Sequence, residues 1–473
     1  MWVRVRPLGK GSNHLTGAHI NNNFHDGLGP GKDCSATPET YDFDLYLKFL
    51  KEHGHNFARL WRWELFRSQV GGGSFHFCAS PQPWLRTGPG TATDGQPKFD
   101  LTQFDPAYFS RLRNYTLAAG VAGIYVSVMF FEGFTMHLTP PPDNVEAHPF
   151  YGDNNINGVT IGSIVDYQVL PLEPRIQDLQ EAYIKKVLDT VQDLPNVLYE
   201  VSNESSGQEA GAVQFPDGSS IPVAIGDTTE WQYWVINRIK QYEREKGYSS
   251  HPVGMTYLYP VQDFQKANEP LWNSPADWIS PGFDNEKDFG IDFGKSRWRL
   301  DPPANAGAKV VISDTDHYSP FESDALWAWK SFARGHNPVL YDFGILDIAH
   351  PHQVQPGVPP YQTNEPARLA LGDTARMAER LNLKQMEPHG EITSTQYALA
   401  NPGQEYLVFQ PDQQANTFTL TIEAGTYAVE WFGLTNRETK QGENLTIENT
   451  GQVDFQAPFE DSGPAVLYLK RQG

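Results

Sequence analysis

Cysteine is nearly absent from this 473-residue chain, which has only Cys34 and Cys78. Two cysteines can close one bridge between early loops, but they support neither a disulfide framework nor a thiolate zinc site. Basic charge is also scarce. Lys and Arg number 36 against 57 Asp and Glu, a formal net charge of −21. That balance argues against nucleic acid or an anionic membrane as partner and suits a protein acting on neutral material. No apolar run approaches membrane-spanning length. The first residues, Met-Trp-Val-Arg-Val-Arg, contain no hydrophobic signal region. There is no Gly-x-Ser-x-Gly elbow, no phosphate loop and no His-Glu-x-x-His zinc helix, and no cofactor is expected.

Aromatic residues are plentiful at 13%, with 12 Trp, alongside 36 Pro and 41 Gly. They serve either a large core or a surface on which sugar rings stack. Length alone points to two or three domains. Eight apolar runs read as strands: residues 13–20, 56–63, 123–132, 196–204, 251–256, 276–280, 309–314 and 337–342. Helical patterns alternate with them. Residues 41–53 carry Phe43, Leu47 and Leu50 on one face; 105–120 open on Asp105-Pro106; and 173–193, 229–245, 323–334 and 365–381 follow. Residues 68–103 read as a long Gly/Pro-rich loop. The helices on either side of the sixth strand are poorly marked. Eight strand–helix steps predict an α/β fold, a closed (β/α)₈ TIM barrel over residues 1–384. From 385 to 473 the pattern changes to short strands at 406–409, 417–422, 426–432, 453–455 and 465–469. That predicts an all-β sandwich domain.

In such a barrel the active site lies at the C-terminal ends of the strands. Those ends carry His19; Arg59 with Trp61 and Trp63; Glu132; Asn203 with Glu204; Asp314, Asp316 and His317; and Asp342. A buried strand has no structural need to finish in Asn-Glu, because a buried carboxylate costs several kcal/mol unless compensated. Polar and acidic groups between aromatic walls suit a polyhydroxylated ligand, and two opposed carboxylates are what glycosidic cleavage needs. Glu204 is the candidate acid/base, and Asp314 or Asp316 the partner; these two would share a face if the strand stays extended. Glu132 is expected either to bind substrate or to pair with Arg59. Arg59, Trp61, Trp63, His19, Asn203, His317 and Asp342 are expected to bind substrate or support it. His350 and His352 read as a Pro-rich loop rather than metal ligands. A metal site built from His19, His317 and strand-end carboxylates would make the protein a metal-dependent hydrolase. A carbohydrate-binding scaffold on the same barrel is the non-enzymatic reading.

Several stretches together resemble a bacterial family of barrel proteins similar to clan A glycoside hydrolases. They are Leu15-Thr-Gly-Ala-His19, Val128-Met-Phe-Phe-Glu-Gly133, His148-Pro-Phe with Asn154-Asn-Ile-Asn-Gly158, Asn196-Val-Leu-Tyr-Glu-Val-Ser-Asn-Glu204 and Ile312-Ser-Asp-Thr-Asp-His317. The resemblance implies a retaining (β/α)₈ enzyme with Glu204 as acid/base, Asn203 on the sugar 2-hydroxyl and Arg59 as the second-strand arginine. It also implies a secreted or periplasmic protein whose leader is absent from this chain, with a cytoplasmic location as the alternative. Residues 397–431 resemble a β-domain that carries a collagen-binding label in relatives, though nothing in these residues indicates collagen. The chain departs from the clan in one respect. The clan's nucleophile is Glu, whereas the seventh strand here offers only Asp, one methylene shorter, which leaves an inverting course open.

Overall fold

The computed structural model describes residues 14–20, 23–26, 40–70, 75–137, 144–207, 211–214, 220–223, 226–261, 263–284, 296–319, 323–345, 361–412, 414–415, 417–460 and 463–473. Cys34, His350 and His352 lie outside them.

Eight parallel strands form one sheet in chain order: β1 (Gly17–His19), β2 (Phe57–Leu60), β3 (Tyr125–Glu132), β4 (Val197–Asn203), β5 (Val253–Thr256), β6 (Trp278–Ser280), β7 (Val310–Asp314) and β8 (Asn337–Tyr341). Strand β1 pairs with β8, and β2 with β3. The sheet closes between β1 and β2, where the amides of Asn56 and Phe57 both donate to the Thr16 carbonyl at 3.0 and 3.2 Å. The Asn56 side chain bridges the same seam, accepting from Thr16 N and donating to His14 O at 2.9 Å each. Gly17 makes this approach possible: a Cβ there would lie 1.9 Å from the Phe57 carbonyl oxygen.

Helices alternate with the strands as the sequence pattern requires. They are α1 (Phe43–Glu52), α2 (Pro106–Val121), α3 (Pro174–Val191), α4 (Thr229–Lys246), α5 (Ala325–Ala333) and α6 (Glu365–Ala378). Their starts are chemically set. The carboxylates of Asp42, Asp105, Glu173 and Asp324 accept first-turn amides of α1, α2, α3 and α5, and Pro106 and Pro174 stand where no amide partner is needed. Around β6 the helical segments are single turns, Glu269–Asn273 and Arg297–Leu300, too short to impose a periodic pattern. The segment read as a loop is a correction. Within it, Arg67–Val70 pairs with Phe75–Cys78, and Trp84–Thr91 pairs with Pro97–Phe104 around an Asp94-Gly95 turn. Gly88 and Gly90 fall in the irregular stretch of the second pairing and Gly95 in its turn, so glycine here shapes strands rather than preventing them. Cys78 is disulfide-bonded.

The barrel interior is layered by the two-residue period of its strands. Leu15, Phe57, Tyr125, Leu198, Trp278, Ile312 and Val339 form a separate apolar cluster, a floor. Two residues further along the chain stand Gly17, Arg59, Ser127, Glu200, Ser280, Asp314 and Tyr341, a mainly polar layer on which the site rests.

The C-terminal domain consists of antiparallel sheets. Strands β9 (Ala398–Asn401), β10 (Glu405–Gln410), β12 (Gly425–Gly433) and β14 (Ala465–Arg471) belong to one large sheet, while β11 (Thr417–Ile422) pairs with β13 (Gly451–Gln456). Phe418, Leu420 and Ile422 meet Tyr406, Val408, Leu467 and Leu469 in a core between them. The opposite face of the large sheet is also apolar, and Leu407, Phe409, Val466 and Tyr468 join the barrel core. Trp329 of α5 lies 6.3 Å from Phe409 and 5.9 Å from Phe432. Arg380 forms a two-pronged ion pair with Glu430 across the same junction.

Gly17→Ala forces its methyl group against backbone that cannot move aside. It should cost about 3 kcal/mol or more of unfolding free energy, read by chemical denaturation; an unchanged midpoint would show that the β1–β2 seam has room.

Candidate active site

Arg59, at the inward face of β2, is 2% exposed and organises the strand ends. Its Nε donates to Glu200 Oε2 at 3.1 Å, and Nη2 to Glu200 Oε1 at 2.5 Å and Asn203 Oδ1 at 2.8 Å. Nη1 donates to Asp314 Oδ2 at 3.0 Å and Asp316 Oδ2 at 3.2 Å. A guanidinium has five N–H donors, and all five are engaged here. The Trp61 ring lies 4.7 Å from the guanidinium carbon. Glu200 had no signal in the sequence beyond its inward register on β4; Ser127 Oγ donates to it at 3.1 Å.

The two aspartates following β7 differ sharply. The strand does not stay extended: it stops at Asp314, and Thr315–His317 form a 3₁₀ turn capped by the Asp314 side chain. Asp314 Oδ1 accepts the Asp316 amide at 3.0 Å, while Oδ2 takes His19 Nε2 at 2.8 Å as well as Arg59. Burial opposes charge on Asp314, but His19 and Arg59 outweigh it and hold the carboxyl well below the usual range. Asp316 has only Oδ2 held, by Arg59; among the described residues no hydrogen bond reaches Oδ1. Burial pushes Asp316 up to about 6, with Arg59 pulling down and Asp314 pushing up.

Glu204 follows β4 with φ +43°, a backbone region that non-glycine residues rarely occupy and that recurs at functional sites. The turn is held from both sides. Thr256 Oγ1 donates to Ser202 O at 2.7 Å, and the Ser202 and Ser205 hydroxyls lie 2.6 Å apart. Gly133 lets β3 close onto it, donating to Asn203 O at 3.0 Å where a Cβ would lie 2.2 Å from Ser205 Oγ. Burial raises the Glu204 carboxyl well above its ordinary range; Asp316 adds to the rise, ahead of Glu132 and Asp314, against the pull of Arg59. Glu204 is therefore a buried acid whose strongest carboxylate neighbour is Asp316.

The other expected residues divide. Asn203 accepts from Arg59 through Oδ1, which leaves its Nδ2 buried without a partner among the described residues; the Tyr257 hydroxyl is likewise unpaired among them. His317 Nδ1 meets Ser280 Oγ at 2.8 Å; its Nε2 has no hydrogen bond among the described residues and lies 3.7 Å from Asp316 Oδ2, and burial lowers the ring to about 3, keeping it neutral. Glu132 is paired in register with Asn203 and accepts from Trp61 Nε1 at 2.8 Å rather than from Arg59. Trp63 is buried, its amide donating to His25 Nε2 at 2.8 Å. Asp342 is engaged elsewhere: Arg368 Nε and Nη2 reach its two oxygens at 2.6 and 2.8 Å. Among the described residues no group of three or more His, Cys, Asp or Glu is arranged to hold a metal ion, and His19 Nε2 is already committed to Asp314. The Asn154–Gly158 motif is a clasp. Asn154 and Asn157 accept the amides of Thr93 and Leu101, tying the hairpin at 84–104 to the following loop.

Replacing Arg59 by Ala leaves Glu200 and Asp314 buried without their cation. It should destabilise the fold by about 3–5 kcal/mol, measured by denaturant unfolding at neutral pH. Arg59→Lys should recover only part of that, because one ammonium cannot reproduce five directed donors.

A family model described as a domain of unknown function, DUF6298, matches residues 77–216, from the first hairpin past β4. No curated protein sequence matches the chain. Among solved structures, one described as a glycoside hydrolase aligns over 100% of this chain and 97% of its own, at TM-score 0.57 and 13% identity. A glycoside hydrolase family 5 protein from Bacteroides vulgatus ATCC 8482 aligns over 97% of this chain and 89% of its own, at TM-score 0.53 and 13% identity. The chain has the fold of glycoside hydrolases.

Proposed function

We propose that the protein is a glycoside hydrolase acting on a neutral oligo- or polysaccharide, with Glu204 as acid/base and Asp316 as the opposed carboxylate. The observation that carries this is the contrast between three carboxyls around one arginine. Asp314 has both oxygens occupied and serves to hold Arg59 and His19. Asp316 has one oxygen fixed by Arg59 and the other open. Glu204 is kept protonated by burial and by Asp316. A protonated acid and an ionised carboxylate in one site are the two partners that glycosidic cleavage requires.

In the reaction, Glu204 gives its proton to the leaving glycosidic oxygen as that bond breaks. Asp316 Oδ1 attacks the anomeric carbon, forming a glycosyl ester. Glu204, now ionised, takes a proton from water, which displaces Asp316 and releases the sugar. Asn203 Nδ2, turned outward because Arg59 holds Oδ1, supplies a donor for the hydroxyl beside the reacting carbon. Retention is the course that the likeness to clan A favours. The disulfide at Cys78 supports an oxidising, extracytoplasmic compartment.

The test is hydrolysis across a panel of aryl glycosides and plant and microbial polysaccharides, comparing wild type with Glu204→Gln and Asp316→Asn. Each variant should lose about 10³-fold or more in kcat while remaining folded, the loss expected when an acid/base or nucleophile is removed. Full activity in either would refute its assignment. Proton NMR of the first-formed sugar should show the substrate's own anomer; the opposite anomer would replace nucleophilic attack by Asp316 with activation of water.

The rate should also follow a bell in pH. Asp316 must be ionised, so kcat/KM should rise as pH passes about 6. Glu204 must keep its proton, so activity should fall again above its raised range. A profile flat through pH 5–7 would contradict the role of Asp316.

A further inference from the structure

Glu132 is a further carboxyl in the same site, and the fold does not need it to be charged. It is 1% exposed and, among the described residues, forms no ion pair. Its two oxygens are fixed by neutral donors, Trp61 Nε1 on Oε2 at 2.8 Å and Thr135 N on Oε1 at 3.1 Å. Each oxygen keeps a lone pair for a further donor. Trp61, the residue that clamps it, stacks beneath Arg59 and lies 5.9 Å from Tyr341. The guanidinium that a sugar carboxylate would seek has no donor left, because Glu200, Asn203, Asp314 and Asp316 take all five. Three buried polar groups without a partner among the described residues, Asn203 Nδ2, Tyr257 OH and His317 Nε2, are uncharged.

We propose that Glu132 is the specificity-determining residue of the site: its carboxylate accepts two neighbouring hydroxyls of the reacting sugar and excludes sugars bearing a carboxylate. This deepens the glycosidase reading and rests on it. Neutral sugars offer O–H donors to Oε1 and Oε2, and charge-assisted hydrogen bonds of that kind are the stronger ones. A uronic acid in the same place meets the carboxylates of Glu132 and Asp316 with no uncommitted guanidinium donor to offset them. The groups acting on Glu132 are Asp316, Glu204 and Glu64, which oppose its charge, and Arg59, which favours it at longer range. Burial, before any of these, raises it to about 7.

The experiment compares the full-length wild type and Glu132→Gln on paired 4-nitrophenyl glycosides, each neutral sugar beside its uronide, together with thermal unfolding from pH 5 to 8.5. Wild type should cleave a neutral member at least 100-fold faster than its uronide. In the variant, kcat/KM on the neutral sugar should fall at least 100-fold and the neutral-to-uronide ratio at least tenfold. A merely structural lesion would lower both members alike and leave that ratio standing. Unfolding supplies a readout independent of turnover. A raised carboxyl contributes stability below its unfolded value near 4.5 that is lost as pH climbs through about 7, so wild type should lose Tm relative to the variant over that span. Should Glu132→Gln fail to fold, Trp61→Phe, which removes the clamp and keeps a ring, should shift the ratio in the same direction by a smaller factor. An unchanged ratio, or a wild type that cleaves uronides as fast as neutral sugars, would overturn the proposal. A wild type silent toward every pair, with the Tm difference still present, would instead overturn the glycosidase reading and this proposal with it.

Discussion

One buried guanidinium sets the conditions for everything else in the barrel mouth. Arg59 stands above an apolar floor, out of reach of solvent, with every donor directed at β4 or β7. A charge in such a place costs several kcal/mol unless it is compensated. The compensation comes from Glu200 and Asp314, themselves too buried to stand alone. The cluster therefore forms as a unit, and it forms only if β1 and β2 close at Gly17, so that Arg59 and His19 reach the same Asp314 oxygen. Barrel closure and site assembly are thus coupled.

The same cluster makes chemically similar side chains unequal. Asp314, Asp316, Glu204 and Glu132 all belong to strand ends or the turns that follow them, and all are buried. Arg59, the His19 ring and an amide that its side chain caps hold Asp314 well below the usual carboxylate range. Asp316 shares one guanidinium nitrogen with it, and burial pushes it up to about 6. Glu204 stands in a strained turn among other carboxyls, and burial, with Asp316 adding to it, raises its carboxyl well above the ordinary range. The partners each one meets, rather than residue type, separate them.

The β-domain is joined to the barrel through a face as apolar as its own core. Leu407 and Phe409 alternate with Tyr406 and Val408, so one strand serves two cores. Apolar docking of this kind, reinforced by Arg380 on Glu430, makes the junction rigid compared with ordinary linkers.

Parallel strands buried on both faces must be apolar along their length, and helix starts need carboxylate caps or proline. Both requirements are local, so the eight strands, the main helices and the change to an antiparallel domain were legible in the residues themselves. The Asn203-Glu204 strand end was legible for the same reason, as an acid where packing wants none. Other features depend on partners far along the chain. Glu200 sits unmarked between Tyr199 and Val201, and only barrel closure turns it toward Arg59. Asp342 resembles its neighbours until Arg368, 26 residues on, takes both its oxygens. Asp314 and Asp316 are indistinguishable by spacing, because the turn that separates them is stabilised by the Asp314 side chain itself. The sequence by itself determined which strands and helices form and which polar residues stand at the barrel mouth, since periodicity and capping act over a few residues. Only the tertiary structure decided which carboxyl is paired, which is open and which is raised, because those states depend on burial and on partners brought to a single cation held between β2, β4 and β7.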